Sequence, residues 1–147
     1  MKKPAIIGLL IVIFIACLLL HWQQVKTAEF DRDFRQNLTG TWLRELDDLP
    51  PGPGMPLSMR CTNMVAPDGS FLCRAWFRHA DRTNTYQQTG TWMVKNGRLI
   101  QTVKSSTNPT EVTPWTRAGR IMQADARSFI VRWQNSTNES VWQKVSP

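Results

Sequence analysis

Few side chains in this 147-residue chain are suited to covalent or metal chemistry: three cysteines and two histidines are its whole stock of thiols and imidazoles. His21 borders a long apolar run, and His79 follows a β-patterned segment, two residues before Asp81. Neither stands in the close-spaced ligand pairs that a zinc site uses, and no Ser or Cys falls into a nucleophile–base constellation. The chemistry these residues could offer is a thiol reaction, with Cys61 or Cys73 as nucleophile and His79 as base, in an envelope hydrolase or thiol enzyme. The same two cysteines fit equally as small apolar core residues. The expectation is a non-catalytic protein with no metal site and no cofactor.

The two cysteines belong to a β pattern. Leu57, Met59, Cys61, Asn63 and Val65 alternate with Ser58, Arg60 and Thr62, and after the turn Ala66-Pro67-Asp68-Gly69-Ser70 come Phe71, Cys73, Ala75 and Phe77. This period of two predicts paired strands with one buried face. If Val65 faces Phe71, Cys61 faces Ala75 and Cys73 faces Asn63, which makes the thiols diagonal neighbours on the inner face. Diagonal positions are too far apart for an unstrained disulfide unless a bulge shifts the register, whereas an oxidising compartment favours one. A Cys61–Cys73 disulfide and a pair of free thiols both stay open.

A second group of residues suggests binding. Gly90 to Thr102 reads as a β-hairpin whose Asn96-Gly97 pair favours a type I′ turn, since both residues tolerate positive φ. The turn sets the register: Val94 faces Leu99, Met93 faces Ile100, Trp92 faces Gln101 and Thr91 faces Thr102. Trp92, Val94 and Leu99 then share the inner face with Tyr86, Gln88 and Gln101. Polar groups in an interior need partners, so Trp42, Tyr86, Gln88, Trp92 and Gln101 form the candidate ligand-binding set. The competing reading is a filled interior in which Gln88 and Gln101 bond to each other or sit near the rim. On the outer face, Met93, Ile100 and Trp76 make an apolar patch for a helix or a partner protein.

These residues need elements to hold them. Residues 1–4 carry Lys2 and Lys3 and precede an uncharged run from Ala5 to Leu20, extended by His21 and Trp22. The run is a little short of the ~20 residues that cross a bilayer core, so interfacial Trp22 and a snorkelling Lys3 complete the span over 5–22. No small-residue cleavage site follows, which favours a retained single-pass anchor over a cleaved signal. Lys2 and Lys3 place the amino terminus in the cytoplasm and the rest outside, in the periplasm of a Gram-negative cell. Phe14-Ile15-Ala16-Cys17 partly matches a lipidation site at Cys17, but the apolar run continues through Leu18-Leu19-Leu20, as suits a buried membrane Cys.

Over residues 23–37 the spacing becomes helical, with Phe30, Phe34 and Leu38 four apart and Asp31 and Arg35 expected to pair. This predicts an amphipathic linker helix whose Phe face packs on the sheet, or else lies on a membrane surface. From Leu38 onward helical spacing is absent. Leu38 to Leu46 is the first strand, and Asp47 to Pro56, rich in Pro and Gly, is an exposed, rather stiff connection. Further strands follow: Tyr86 to Val94, the second arm of the hairpin, Trp115 to Gln123, Ser128 to Gln134 and Ser140 to Val145, with Asn135-Ser136-Thr137-Asn138 as the last turn. The net charge is +7, but Lys2, Lys3 and Lys26 precede every acidic residue, and the other basic residues are spread singly along strands. The clustered basic stripe of a nucleic-acid binder is missing.

Eight short strands in a meander, a preceding helix, and the segments Leu38-Thr39-Gly40-Thr41-Trp42, Pro67-Asp68-Gly69-Ser70-Phe71 and Gly90-Thr91-Trp92-Met93-Val94 resemble the lipocalin-like barrels of bacterial envelope proteins. The resemblance covers residues 38–147 and implies an all-β, antiparallel, eight-stranded up-and-down barrel on one N-terminal transmembrane helix. It also implies an Arg stacked on the first-strand Trp42, supplied by Arg120 or Arg132. The function implied is binding at the inner membrane of a bacterium, of a small apolar ligand or a membrane-protein partner. The layout also resembles accessory subunits that stabilise membrane sensors.

Overall fold

The computed structural model describes residues 3–47, 49–50, 52–134 and 136–146, with side chains described from residue 9 to residue 145 within those spans. Met1, Lys2 and the Lys3 side chain, on which the topology expectation rests, lie outside the described residues. So do Asp48 and Pro51 of the Pro-Gly connection and Asn135 of the last turn.

One long helix, α1 (Lys3–Leu38), leads into β1 (Gly40–Leu46), β2 (Ser58–Val65), β3 (Ser70–Arg78), β4 (Thr83–Lys95), β5 (Arg98–Ser106), β6 (Trp115–Ala124), β7 (Ser128–Trp133) and β8 (Glu139–Ser146). Each strand runs antiparallel to the next, and β8 pairs back onto β1, closing an eight-stranded up-and-down barrel. Closure leaves no strand edge unpaired. The β4–β5 hairpin adopts the expected register pair by pair, from Lys95–Arg98 to Thr91–Thr102, and Asn96 and Gly97 take φ of 54° and 68°. The β2–β3 register is also as read from the alternation, with Cys61 opposite Ala75 and Cys73 opposite Asn63.

The stretches 5–22 and 23–37, expected as an anchor and a separate linker helix, are parts of one continuous helix. No Gly or Pro lies between Leu9 and Leu38 to interrupt it. At 1.5 Å per residue it is about 54 Å long. Its apolar side chains from Leu9 to Leu20 stand exposed, and it is long and apolar enough to cross a membrane.

The last turns of α1 plug one end of the barrel, the end that carries the β2–β3, β4–β5 and β6–β7 turns. Phe34 and Leu38 are buried, and Phe34 meets Phe129 edge-on with centroids 5.4 Å apart. The Phe face therefore enters the barrel mouth and does not cover the outer wall, so Met93 stays half-exposed. The expected Asp31–Arg35 pair is replaced by bonds to the hairpin. Asp31 accepts from the Asn96 and Gly97 amides, and Arg35 Nη2 donates to the Val94 carbonyl at 2.9 Å. Two C-terminal carbonyls of α1, which have no partner within a helix, are satisfied by the barrel. Lys144 Nζ donates to Asn37 O at 3.1 Å and Trp42 Nε1 to Leu38 O at 2.6 Å.

Behind the plug, Trp42, Phe129, Trp92 and Trp142 interlock, with Trp42–Phe129 centroids 4.7 Å apart and Trp92–Trp142 5.7 Å. Val94, Leu99, Val103 and Val131 are core residues with no exposed surface. The cation over Trp42 is Lys144, 5.3 Å from the ring centroid, in place of the expected Arg120 or Arg132. Arg132 is paired with Glu139 across β7 and β8. Gly90 lets β5 approach: a Cβ there would collide with the Thr102 carbonyl oxygen and reach 2.9 Å from the Phe71 ring.

Candidate functional site

Aromatic packing fills the helix-proximal half of the barrel and stops at Trp142. Beyond it, toward the end carrying the β1–β2, β3–β4 and β5–β6 connections, lies a cavity of about 270 Å³. Alternation along the strands supplies its walls. Arg44 comes from β1, two residues past inward-facing Trp42. Met59, Cys61 and Asn63 come from β2, Cys73 and Phe77 from β3, Tyr86 and Gln88 from β4, Gln101 from β5 and Arg117 from β6. Asn108 and Glu111 reach in from the β5–β6 connection.

Of the expected ligand-binding set, Tyr86, Gln88 and Gln101 line this cavity, whereas Trp42 and Trp92 belong to the aromatic core beneath it. Trp92 touches only a surface groove between the end of α1 and the hairpin. Gln88 and Gln101 do not bond to each other. Gln88 Nε2 donates to both carboxylate oxygens of Glu111 at 2.8 Å, and Gln101 Oε1 accepts from Arg117 Nε at 2.8 Å. The mutual pair that the filled-interior reading allows is not formed: each Gln has a charged partner, and bonds to ions are the stronger ones.

Two arginines dominate the electrostatics. Arg117 lies over the Trp133 ring, 3.9 Å from its centroid, a cation–π contact. Burial and the nearby Arg44 charge push the Arg117 pKa down to about 10. Burial likewise lowers that of Arg44, whose Nε has no hydrogen-bond partner. Among the described residues neither arginine makes a salt bridge. Burial alone would raise the Glu111 pKa, but bonds from Ser106, Gln88 and Trp115, with the field of Arg117, outweigh it and hold the carboxyl below its ordinary range. Trp115 Nε1 donates to Glu111 at 2.6 Å.

Cys61 and Cys73 stand in this structure as free thiols with their sulfurs 3.0 Å apart. The hydrogen bond from Cys73 lowers the Cys61 pKa against its burial, and Arg44 and Arg117 add to that lowering. The same bond and its own burial raise that of Cys73. His79 stands apart from both, with Nε2 3.5 Å from the Asn84 amide, and it does not line the cavity. A Cys–His pair is therefore not assembled, and no group of three metal-ligating His, Cys, Asp or Glu side chains occurs among the described residues.

Arg44 and Arg117 were legible in principle, since period-two spacing from Trp42 and from Gly119 and Ile121 turns both inward. Asn63 had already been placed on the buried face. Glu111 sits in a loop, and no spacing rule points to it. Three buried polar atoms at this end lack partners: Arg44 Nε, Asn63 Oδ1 and Trp142 Nε1. No known family model matches the chain, and no curated protein matches it, so the reading of this site rests on its geometry.

Proposed function

We propose that this protein is a lipocalin-like binding protein of the bacterial envelope, tethered by α1 in the cytoplasmic membrane with its barrel in the periplasm. It holds a small ligand without transforming it. The observation that carries this reading is the half-filled barrel: a solid aromatic core below Trp142 and, above it, a cavity of about 270 Å³ whose lining residues include two arginines, Asn63, Gln88 and Gln101. Buried polar groups are nearly always satisfied, so the unpaired polar atoms of Arg44, Asn63 and Trp142, three residues of the cavity wall, support a ligand or ordered water there. The volume is just under the ~300–1,000 Å³ usual for small-molecule sites, which favours a compact ligand over a long lipid chain.

Native mass spectrometry of the full-length protein in detergent tests this. A small molecule retained on the barrel, lost on denaturation and recovered on refolding with an extract, is the expected result; a barrel that takes up nothing would count against binding. For the topology, a C-terminal alkaline phosphatase fusion is expected to be active, and an inactive fusion with normal expression would reverse the orientation.

A second reading, an accessory subunit that stabilises a membrane sensor, draws on one observation. Met93 is half-exposed on the outer wall, in a groove shared with Ile100, Arg35 and Leu38 at the foot of α1. Crosslinking from position 93 in intact cells distinguishes it: one dominant membrane-protein adduct supports the accessory role, and recovery of monomer alone removes it.

A further inference from the structure

We infer that the barrel cavity is a receptor site for a small organic monoanion, a carboxylate whose charged end sits between Arg44 and Arg117. The inference rests on the binding reading above and names the ligand class for the same cavity. Its first support is charge balance. Two guanidinium groups line the cavity, and among the described residues Glu111 is the one carboxylate that does so. That carboxylate is already engaged by Gln88 and Trp115. One positive charge is thus left over on two half-buried guanidinium groups, where an uncompensated ion is costly. A monoanion cancels it; a dianion would overshoot and be repelled by Glu111.

The second support is the donors. Arg44 lines the cavity, makes no salt bridge among the described residues and has no hydrogen-bond partner at Nε, so its guanidinium is uncommitted and can take a carboxylate in the two-pronged geometry such groups favour. Arg117 is fixed by Gln101 and by the Trp133 face, so its position is set before any ligand arrives. Such preorganisation reduces the entropy lost on binding. Asn63, 1% exposed and with an unpartnered amide oxygen, lines the same space, and with the amide turned over its Nδ2 becomes a third donor. The third support is the apolar wall. Phe77 and Tyr86, with ring centroids 5.7 Å apart, and Trp142 offer a surface for a compact aromatic or branched body.

The test is calorimetric titration of the full-length protein in detergent with three probes: benzoate, its neutral shape analogue benzamide, and inorganic phosphate. Benzoate is expected to bind at least about tenfold more tightly than benzamide, the worth of one hydrogen bond to a charged group, and more tightly than phosphate. Arg44→Gln is expected to abolish the preference for benzoate over benzamide, Arg44→Lys to keep part of it, and Arg74→Gln, on the outer wall, to leave it unchanged. Arg117→Gln is a further probe, but Arg44 carries the test should that variant fold poorly.

Equal binding of benzoate and benzamide, or wild-type benzoate affinity in Arg44→Gln, overturns the anion assignment and leaves the binding reading intact. Phosphate binding as tight as benzoate overturns the monoanion assignment. If no probe binds and native mass spectrometry finds the barrel unoccupied, both readings fall together.

Discussion

Asp31 of the helix holds Gly97 of the hairpin turn: its Oδ1 accepts the Gly97 amide at 2.8 Å, and its Oδ2 accepts the neighbouring Asn96 amide at 2.5 Å. One carboxylate thus satisfies both amides of a turn whose two residues lie at positive φ and ties it to α1. Asp31→Ala is expected to cost about 1–2 kcal/mol, a charge-assisted pair discounted for its exposure. Thermal unfolding of the full chain measures it. An unchanged Tm would mean that the helix end is held by Phe34 and Leu38 alone.

Gly90→Ala is expected to be among the most damaging substitutions in the barrel, at ~3 kcal/mol or more, the upper end of overpacking costs. The added methyl meets the Thr102 carbonyl and the Phe71 ring, and the backbone oxygen cannot swing away. Gly54→Ala, in the β1–β2 connection, serves as a comparison: it meets no neighbouring atom but lies at φ of 75°, so its cost is local strain of about 1 kcal/mol. Denaturant titration of the two variants should separate them clearly; similar midpoints would refute the close approach of β4 and β5.

The barrel was legible in the sequence because period-two alternation and turn chemistry act locally. Asn96-Gly97 alone sets five residue pairs between β4 and β5, and Val65 opposite Phe71 sets the register of the cysteines. Where several elements converge, local pattern was insufficient. Asp31 and Arg35 are spaced to pair with each other, yet each finds a backbone partner on the hairpin that no helical spacing reveals. Gln88 and Gln101 were read correctly as inward, but their partners come from a loop and from a strand sixteen residues on. Trp42 and Trp92 face inward just as Tyr86 does. Each of the two tryptophans stands directly opposite a cavity residue, Asn63 and Gln101, so alternation and register alone do not separate core from cavity.

Reactivity of the thiols should be unequal. Cys61 is expected to become thiolate at a pH below that of an ordinary cysteine, helped first by the Cys73 S–H, then by Arg44 and Arg117, while Cys73 stays protonated. Labelling with methyl methanethiosulfonate, read by peptide mass spectrometry across pH, should modify Cys61 first. Cys73→Ala should move the Cys61 midpoint upward. Simultaneous labelling of both residues at an ordinary thiol pH would refute this coupling.

The Glu111 carboxyl has a folded pKa below its unfolded one, so the folded state binds fewer protons in the interval between them. Its contribution to stability is full above the unfolded value, near pH 4.3–4.5, and is lost as pH falls through the folded value. Glu111→Gln is expected to flatten the acid limb of the stability curve while changing little at neutral pH beyond the loss of the Trp115 and Gln88 bonds. Tm against pH from 3 to 7 for both proteins is the measurement, and parallel curves would show that Glu111 contributes nothing to acid sensitivity.

The helix leaves one end of the barrel and the cavity opens toward the other. With α1 seated in a bilayer, a solute in the aqueous layer reaches the opening directly. A molecule dissolved among acyl chains would have to leave the lipid and travel the full height of the wall. The supply of ligand would then follow the water-soluble pool beside the membrane, and the unbroken helix would keep the opening at a fixed distance from the lipid surface.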